Sequence, residues 1–351
     1  MLFRSMDTQQ FDALIIGFGK AGKTLAVTLA NAGKKVALVE RTPKMYGGTC
    51  INIACIPTKV LVSAAEHHQS FDEAMTHKTT VVTRLNEKNY HMLADRETVS
   101  VIEGEASFVD DHTVKVVAGD DELVVSAPQI FINTGAESII PDIPGIDKPF
   151  VYTSTELLDK MTQPKHLAII GGGYIGLEFA STYAKLGTKV TVFERGDALL
   201  AREDPAIARA TTEALQAQGI EIVFSVDVTA IEGESTATIR TVNHDDYAGY
   251  DAVLMATGRR PATMSLNLPA AGVATDERGA IVVDETLRTS RSHIWAMGDV
   301  TGGPQFTYAS LDDFRIVRSQ LLGDGLYTRA KQKTDRKSKL QRSEERRVGK
   351  E

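Results

Sequence analysis

The hydrophobic and polar positions near the N-terminus predict a strand, a glycine turn and an amphipathic helix. Ala13–Ile16 is a short apolar strand candidate, and the turn Gly17-Phe18-Gly19-Lys20-Ala21-Gly22 opens a helix that extends to Ala32. A second strand at Lys35–Val39 ends at Glu40, 23 residues after Gly17. Such glycines allow a tight turn and close approach of a phosphate, the helix dipole favours the pyrophosphate, and the acid suits ribose hydroxyls. The pattern predicts a dinucleotide site that uses Gly17, Gly19, Gly22 and Glu40.

The same pattern recurs about 150 residues later. Leu167–Ile170 predicts a strand, Gly171-Gly172-Gly173-Tyr174-Ile175-Gly176 the turn, Leu177–Leu186 the helix and Lys189–Phe193 the next strand. Two such units in one chain predict a second dinucleotide site, which uses Gly171, Gly173, Gly176 and Glu194. Glu194 would accept hydrogen bonds from a free ribose 2′-hydroxyl and repel a 2′-phosphate, which favours a dinucleotide without that phosphate. Arg195 beside it softens that preference.

Further apolar segments surround these two units. They predict a helix at Phe71–Leu93 and strands at Val99–Val109, His112–Val117, Glu122–Ser126, Gln129–Ala136 and Tyr250–Ala256. Two strands end in Thr-Gly pairs, Thr134-Gly135 and Thr257-Gly258. Pro141, Pro144, Gly145 and Pro149 form a linker-like stretch between the two halves.

The only two cysteines, Cys50 and Cys55, are five positions apart. In an unbroken helix this offset separates the Cα atoms by roughly 8–9 Å, whereas a disulfide tolerates at most about 7 Å. If the sulfurs pair, the backbone between them is irregular, so we predict a turn over Cys50–Ile56 and a regular helix over Pro57–Gln69. Sulfurs near the positive end of that helix favour the thiolate and are poised to cycle between dithiol and disulfide.

Two other interpretations of the cysteines are a pair of buried thiols and half of a zinc site. Four zinc ligands require a second Cys or His pair, and the neighbouring sequence supplies none, although His67 and His68 lie on the following helix. We interpret these histidines as solvated or packed side chains. Redox activity is therefore the favoured interpretation, and no metal site is predicted.

Composition excludes several other classes of protein. The net charge of −7 argues against nucleic acid as the main partner. No apolar run reaches the roughly 18 residues that span a bilayer, and the N-terminus lacks an apolar signal core. We therefore expect a cytoplasmic protein with no membrane partner, in which a cysteine pair is more often redox-catalytic or metal-binding than structural.

Gly47–Lys59 resembles the redox-active disulfide signature of the pyridine nucleotide-disulfide oxidoreductases, flavoproteins that include glutathione reductase, dihydrolipoamide dehydrogenase and mercuric reductase. Two glycines, two cysteines, a proline and a lysine fall at the expected spacing. Ala54 replaces the usual glycine, which is tolerable if its φ is negative. The resemblance covers about residues 10–326 and is greatest to the bacterial reactive-chlorine-resistance branch, at Ile15–Lys23 and Met45–Lys59.

The resemblance implies an α/β fold with two Rossmann-like domains of three-layer ββα type, the second inserted in the first. Residues 1–148 and 289–326 would form the FAD-binding domain with the cysteine pair, and residues 149–288 the NAD(P)-binding domain. Family members continue into an interface domain that makes a homodimer and supplies a His-Glu pair to the partner's cysteines. None of the eight histidines lies in such a context, so we expect a C-terminally truncated chain. Residues 327–351 are basic and apolar-poor, which predicts a disordered, non-native tail.

The resemblance also implies roles for individual residues. Lys59 would lie beside the flavin and pair with Glu178, Cys55 would be the sulfur nearest the ring, and Cys50 would attack the substrate. Ile294–Val300 resembles the second FAD motif, in which Asp299 binds the ribityl hydroxyls. Further predicted cofactor contacts are Gly48, Thr49, Thr134, Gly135, Gly258 and Gly298.

The function implied is an FAD- and NAD(P)H-dependent reductase in which electrons pass through flavin to a Cys50–Cys55 disulfide and on to a small oxidant or metal ion. Hypothiocyanous acid and Cu(II) are the example substrates, in an oxidant-defence role. Mercuric ion or a low-molecular-weight disulfide is the alternative substrate. A thiol metal-binding module, a redox-sensing flavoprotein and a flavin NADH oxidase with idle cysteines are the competing functions.

Overall fold

The computed structural model describes residues 8–242 and 245–331 of the chain. They form two compact units. The first unit comprises the chain up to Asn52, Leu85–Ala136, and the chain from Arg260 onward. The second comprises Ile53–Arg84 and Glu137–Arg259, so the chain leaves the first unit and later returns to it.

Elements are numbered in chain order through both units. Those of the first unit are β1 (Gln9–Gln10), β2 (Ala13–Ile16), α1 (Lys20–Asn31), β3 (Val36–Glu40), α2 (Thr49–Asn52), β4 (Val99–Glu103), β5 (Glu105–Phe108), β6 (Thr113–Ala118), β7 (Asp121–Ser126), β8 (Ile130–Ile132), β19 (Ile294–Ala296) and α8 (Thr307–Leu322). Those of the second are α3 (Cys55–Glu66), β10 (Val151–Thr153), α5 (Ser154–Asp159), β11 (His166–Ile170), α6 (Tyr174–Lys185), β12 (Lys189–Phe193), α7 (Pro205–Gln216), β13 (Glu221–Val223), β14 (Val228–Glu232), β15 (Ala237–Thr241), β16 (Asp246–Tyr250) and β17 (Ala252–Met255). Three further elements, α4 (Phe71–Ala94), β9 (Ala136–Ser138) and β18 (Arg259–Pro261), include residues of both units.

The first unit is built on a five-stranded parallel sheet of order β19-β8-β2-β3-β4. Successive side chains of β2 point to opposite faces of this sheet, and all four are buried. On one face Ile15 packs with Leu25 of α1 and Phe314 of α8. On the other face Leu14 packs with Val114 of the antiparallel sheet β7-β6-β5. The unit therefore has three layers, helices, parallel sheet and antiparallel sheet, which are the ββα layers of the predicted fold class.

The second unit repeats this arrangement. Its parallel sheet has the order β10-β17-β11-β12-β13, and its antiparallel sheet has the order β14-β15-β16. Ile169 of β11 packs with Tyr183 of α6 and Leu61 of α3, whereas its neighbour Ala168 packs with Ile239 of β15 on the opposite face. Both units are thus Rossmann-like, as the fold prediction stated.

Several predicted elements have different bounds in the structure, and the strands predicted at Gln129–Ala136 and Tyr250–Ala256 are shorter. Two further differences concern a strand and the cysteine helix. The expected strand Val99–Val109 is divided at Gly104, whose φ of +143° sends β4 into the parallel sheet and β5 into the antiparallel one. The regular helix predicted at Pro57–Gln69 begins two residues earlier, at Cys55, and ends at Glu66. Pro57 fits because the first turn of a helix does not need its N–H.

The first residues of the predicted tail, 327–331, are among the described residues. Tyr327 packs against the helical face of the first unit, and Arg329 donates to Thr301 Oγ1 at 2.8 Å. The rest of that predicted tail, residues 332–351, lies outside the described residues. Within the described ranges, no helix combines the length and the apolar character that crossing a membrane requires.

Candidate active site

The first glycine turn leaves no room for side chains. A Cβ built on Gly17, whose φ is +102°, would lie 2.4 Å from the Asn133 carbonyl oxygen. One on Gly19 would lie 2.5 Å from Asn133 Oδ1, and one on Gly22 would lie 2.6 Å from the Gly17 oxygen. The three glycines therefore bring the start of α1 directly against the end of β8, and the absence of side chains at these positions lets a phosphate approach the backbone of the turn closely.

Asn133, at the carboxyl end of β8, ties this turn to the neighbouring strand. Its Oδ1 accepts from the Gly22 N–H at 2.9 Å, and its Nδ2 donates to the Met297 carbonyl at 2.6 Å. Gly298, which follows Met297, has a φ of +77°, and its N–H donates to the buried Asp313 carboxylate at 2.8 Å. Asp299 follows, partly buried, in a short 3₁₀ turn at Gly298–Thr301. The carboxyl ends of three adjacent strands thus converge here.

The Glu40 side chain is hydrogen-bonded to the backbone of this turn. Its Oε2 accepts from the Phe18 N–H at 2.9 Å. Burial raises the pKa of the Glu40 carboxyl, while hydrogen bonds from the backbone of Phe18, Thr42 and Arg41 act in the opposite direction. The carboxylate therefore lies at the end of β3, beside the glycine turn.

The second unit has an equivalent turn. A Cβ on Gly171 (φ +113°) would lie 2.5 Å from the Ala256 oxygen, and one on Gly176 would lie 2.2 Å from the Gly171 oxygen. Glu194 accepts from the Gly172 N–H and from the Gly196 N–H, both at 2.7 Å. Around Gly173, in contrast, no described atom lies within 4 Å of a Cβ position, so open space faces this part of the turn.

The cysteine segment is joined to the first glycine turn. Gly47 and Gly48 have φ values of +96° and +79°, and a Cβ on Gly48 would lie 2.7 Å from the Cα of Gly19. Cys50 follows, partly buried, in the single turn of α2. The helix then breaks at residues 53–54, where Ala54 has a φ of −141°, so its methyl group is tolerated as the sequence analysis required. Exposed Cys55 is the first residue of α3.

Polar side chains hold this segment in place. Asn52 Nδ2 donates to the carbonyls of Tyr46 and Gly48, each at 2.9 Å. Asn86 of α4 in turn donates to Asn52 Oδ1 at 3.0 Å. The ring of Tyr90, one turn further along α4, stacks on Tyr46 with centroids 4.8 Å apart. The backbone irregularity expected from the cysteine spacing is therefore supported by a specific set of contacts.

Lys59 and Glu178 form an ion pair within the second unit. Lys59 lies one turn after Cys55 on α3, and Glu178 lies on α6 behind the second glycine turn. The Lys59 side chain is 70% exposed and that of Glu178 is 29% exposed. The predicted partners are thus in contact in the described structure.

The remaining predicted contact residues lie at strand ends, except Thr49, which begins a helix. Thr134 Oγ1 donates to the Ala262 carbonyl at 2.8 Å, and Gly135 and Gly258 have φ values of +72° and +122°. Thr49 is the first residue of α2. The structure brings Gly17, Gly19, Gly22, Glu40, Gly48 and Gly298 together in the first unit, and Gly171, Gly176 and Glu194 in the second.

Several residues of the site were not identified from the sequence: Lys23, Asn86, Asn89, Asn133 and Asp313. Asn133 carried a usable signal, because it directly follows a buried strand and precedes a Thr-Gly pair. The asparagines of α4 carried none, since a polar residue on an amphipathic helix is ordinarily solvated.

A separate group of possible metal ligands comprises Asp111, His112 and His293, whose ligand atoms lie within 4.8 Å of one another. The two imidazole rings are stacked, with centroids 4.0 Å apart and planes at 13°. His112 Nδ1 lies 3.2 Å from the Ala127 carbonyl, and His293 Nε2 lies 2.8 Å from the Asp111 carbonyl. The nitrogen lone pair of an imidazole lies in the plane of its ring. Because these two planes are nearly parallel, one ring must rotate before both can coordinate the same ion.

A profile described as pyridine nucleotide-disulphide oxidoreductase matches residues 11–313. The chain belongs to this family. Pyridine nucleotide-disulfide oxidoreductase RclA of Escherichia coli (strain K12) is 52% identical over 317 residues, which cover 90% of this chain and 72% of that protein. A mercuric reductase of Staphylococcus aureus is 36% identical over 333 residues, which cover 89% of this chain and 60% of that enzyme.

A solved structure shows the same fold. The Cu(II) complex of the HOCl-induced flavoprotein disulfide reductase RclA from Escherichia coli superposes with a TM-score of 0.88 at 51% identity. The match covers 92% of this chain and 73% of that one. The chain is therefore shorter than these pyridine nucleotide-disulfide oxidoreductases.

Membership of the pyridine nucleotide-disulfide oxidoreductases implies FAD and a pyridine nucleotide as cofactors. The residues present fit such groups. Each unit has a turn at the N-terminus of a helix in which glycines leave no space for a Cβ, Gly17, Gly19 and Gly22 in the first and Gly171 and Gly176 in the second, with a strand-end glutamate beside it. These are the features that bind the diphosphate and the ribose of a dinucleotide.

Proposed function

We propose that this chain is an NAD(P)H-dependent flavoprotein reductase whose cysteine pair passes electrons to a small oxidant or a metal ion. One observation carries the proposal: Gly48 packs on the backbone of Gly19, so the cysteine segment is in direct contact with the first glycine turn. A dinucleotide held by that turn lies beside the segment that carries Cys50. In such a reductase the thiol pair must lie beside the dinucleotide that reduces it.

The chain's own residues would hold two cofactors. Gly17, Gly19, Gly22 and Glu40 would bind FAD, with further contacts from Gly48, Thr49, Thr134, Gly135, Gly258, Gly298 and Asp299. Gly171, Gly173, Gly176 and Glu194 would bind the nicotinamide dinucleotide. When bound, these two groups supply the electron pair that reduces a disulfide to two thiols. The Lys59–Glu178 pair would supply charges that tune a bound flavin.

The cysteines carry the second half of the reaction. Cys55 begins the helix α3, whose N-terminus favours its thiolate, and Cys50 lies in the single turn α2 that precedes that helix. With hypothiocyanous acid, the Cys50 thiolate attacks the substrate sulfur, and hydroxide leaves. The Cys55 thiolate then attacks the Cys50 sulfur, a Cys50–Cys55 disulfide forms and thiocyanate leaves. Two electrons have passed from the two cysteines to the substrate.

The comparisons support part of the proposed substrate class. The RclA structure is described as an HOCl-induced flavoprotein disulfide reductase in complex with Cu(II), which supports an oxidant-defence role and Cu(II) as one acceptor. Hypothiocyanous acid is proposed as the other acceptor. Mercuric ion is the runner-up, because mercuric reductases are 36% identical. Low-molecular-weight disulfides are a further alternative.

NADH is proposed as the preferred electron donor. The Glu194 carboxylate, held by the Gly172 and Gly196 N–H groups, lies where a ribose 2′-phosphate would be repelled. Arg195 beside it is exposed and reduces the preference. We therefore expect a lower KM for NADH than for NADPH, with measurable turnover of both.

An acceptor panel tests the proposed function. NADH consumption by the purified chain is followed at 340 nm with hypothiocyanous acid, Cu(II), Hg(II) and glutathione disulfide, and the visible spectrum is recorded. A yellow protein that consumes NADH in response to one acceptor is expected. Cys50→Ser and Cys55→Ser should each lower this acceptor-dependent rate by about 100-fold or more.

The competing functions predict other outcomes. A flavin NADH oxidase with idle cysteines would keep its full rate in Cys50→Ser with oxygen as acceptor. A thiol metal-binding module would be colourless and would carry stoichiometric metal. Either result contradicts the proposed reductase.

A further inference from the structure

Lys23 is a buried cation on the helix that begins at the first glycine turn. It belongs to α1 and is 6% exposed. Its Nζ donates to the Gly47 carbonyl at 3.0 Å and to Asn89 Oδ1 at 2.6 Å. Both partners are neutral, and in the described part of the chain Lys23 forms no ion pair. A buried ammonium without a counter-ion is costly, so its presence needs a reason.

The Gly47 carbonyl fixes this ammonium against the cysteine segment. Gly47 has a φ of +96°, and a Cβ there would lie 2.9 Å from Ile51 and 3.0 Å from Asn89. Its position is therefore closely constrained, and Cys50 follows three residues later in the partly buried turn of α2. The ammonium, the Gly47 carbonyl and Cys50 all belong to the first unit.

Two neighbouring charges act on Lys23 in addition to its burial. The pKa of Lys23 is lowered to about 8, first by burial and second by the neighbouring Lys20, whereas the charge of Cys50 acts in the opposite direction. Electrostatic coupling between two groups is reciprocal, so the Lys23 ammonium also favours the ionised form of Cys50. A Cys50 thiolate would therefore supply a negative charge near this buried ammonium.

We propose that Lys23 is a positioning residue that keeps Cys50 in the thiolate form. The inference rests on the proposed function, in which Cys50 is the attacking sulfur. Asn89 holds the ammonium from α4, and Gly47 holds it from the cysteine segment. Since Lys23 loses its proton above about pH 8, its support for the thiolate is greatest below that pH and fades above it.

The thiol of Cys50 can be titrated directly. In full-length, cofactor-loaded protein carrying Cys55→Ser, Cys50 is the only cysteine, and its iodoacetamide alkylation rate is measured from about pH 5 to about pH 10. Lys23→Met should raise the midpoint of this profile by about one pH unit, which is about a tenfold loss of alkylation rate at pH 6. Lys23→Arg should restore most of the rate. The exposed Lys34→Met, a loss of the same charge, should leave the midpoint unchanged.

A second variant keeps the lysine in place, in case the Met variant does not fold. Asn89→Asp introduces a carboxylate at the position now occupied by Oδ1, 2.6 Å from the ammonium. It neutralises the cation and also adds a negative charge beside the cysteine segment, so the Cys50 midpoint should rise at least as far as in Lys23→Met. Asn89→Asp combined with Lys23→Met measures the part of the rise that does not involve Lys23. A midpoint that is unchanged in Asn89→Asp and in every folded Lys23 variant overturns the inference. Absence of NADH-dependent turnover alongside a shifted midpoint would instead reject the proposed function and keep the thiolate assignment.

Discussion

At the scale of residues, the site depends on glycines whose neighbours leave little or no space for a Cβ atom. The second glycines of the two turns, Gly19 and Gly173, occupy the same motif position but have different surroundings. A Cβ on Gly19 meets Asn133 Oδ1 at 2.5 Å, while Gly173 faces open space. Asn133 is 5% exposed and is held by two hydrogen bonds, so it cannot move away without breaking them.

This contrast predicts different effects of the same substitution. Gly19→Ala should lower the free energy of unfolding by about 2 kcal/mol, because the methyl group displaces a buried, hydrogen-bonded side chain. Gly173→Ala, with a φ of −86° and no close neighbour, should change it by less than about 0.5 kcal/mol. Urea unfolding of both variants measures the difference. Equal losses would contradict the assigned role of Asn133.

At the scale of elements, glycines with positive φ decide where the chain changes direction. Gly104 separates β4 from β5 and so sends adjacent residues into two different sheets. A Cβ there would lie 2.6 Å from Val116 Cγ1 and 2.8 Å from the Val117 carbonyl oxygen. Both the backbone conformation and the packing therefore require glycine.

Gly104→Ala should accordingly lower the free energy of unfolding by about 3 kcal/mol, from the unfavourable φ and the clash together. Gly119→Ala is the matched control: its φ is +60° but no described atom lies within 4 Å of the new Cβ, so about 1 kcal/mol is expected. Thermal and urea unfolding distinguish the two. A milder effect at Gly104 than at Gly119 would show that the turn relaxes freely.

Local pattern predicted most elements near the two glycine turns but not every boundary. β2 and β12 lie where their apolar runs were found, since strands buried on both faces appear as continuous hydrophobic segments. The break at Gly104 was missed because a run of apolar residues does not show which sheet each half joins. Within the site, the glycines and glutamates were predictable from motif spacing. Lys23 and Asn89 were not, because their contacts join residues 66 positions apart.

At the scale of the whole molecule, the charge is unevenly distributed along the chain. Residues 329–351 carry ten basic and four acidic side chains, although the net charge of the chain is −7. The preceding residues include every predicted site residue. Their net charge is therefore more negative than that of the whole chain. Such a field attracts cations and repels anions over distances comparable to the Debye length.

The two proposed substrates should therefore respond differently to salt. Raising the ionic strength from about 0.02 M to about 0.2 M should lower kcat/KM for Cu(II) a few-fold, because screening removes long-range attraction. For hypothiocyanous acid, the neutral species in the proposed step, the same change should leave kcat/KM nearly unchanged. Steady-state rates in potassium chloride and in an equal ionic strength of potassium sulfate measure the effect and control for chloride binding. A parallel response of both substrates would contradict steering by the overall charge.

The return of the chain to the first unit has a consequence during synthesis. β19 completes the first parallel sheet by pairing with β8, yet the whole of Glu137–Arg259 is translated between them. While the ribosome adds those residues, the edge of β8 that β19 will cover remains open to water or to a chaperone. Trp295, the only tryptophan, lies in β19 and is 1% exposed. Its fluorescence therefore marks the moment at which a nascent chain closes its first nucleotide-binding unit.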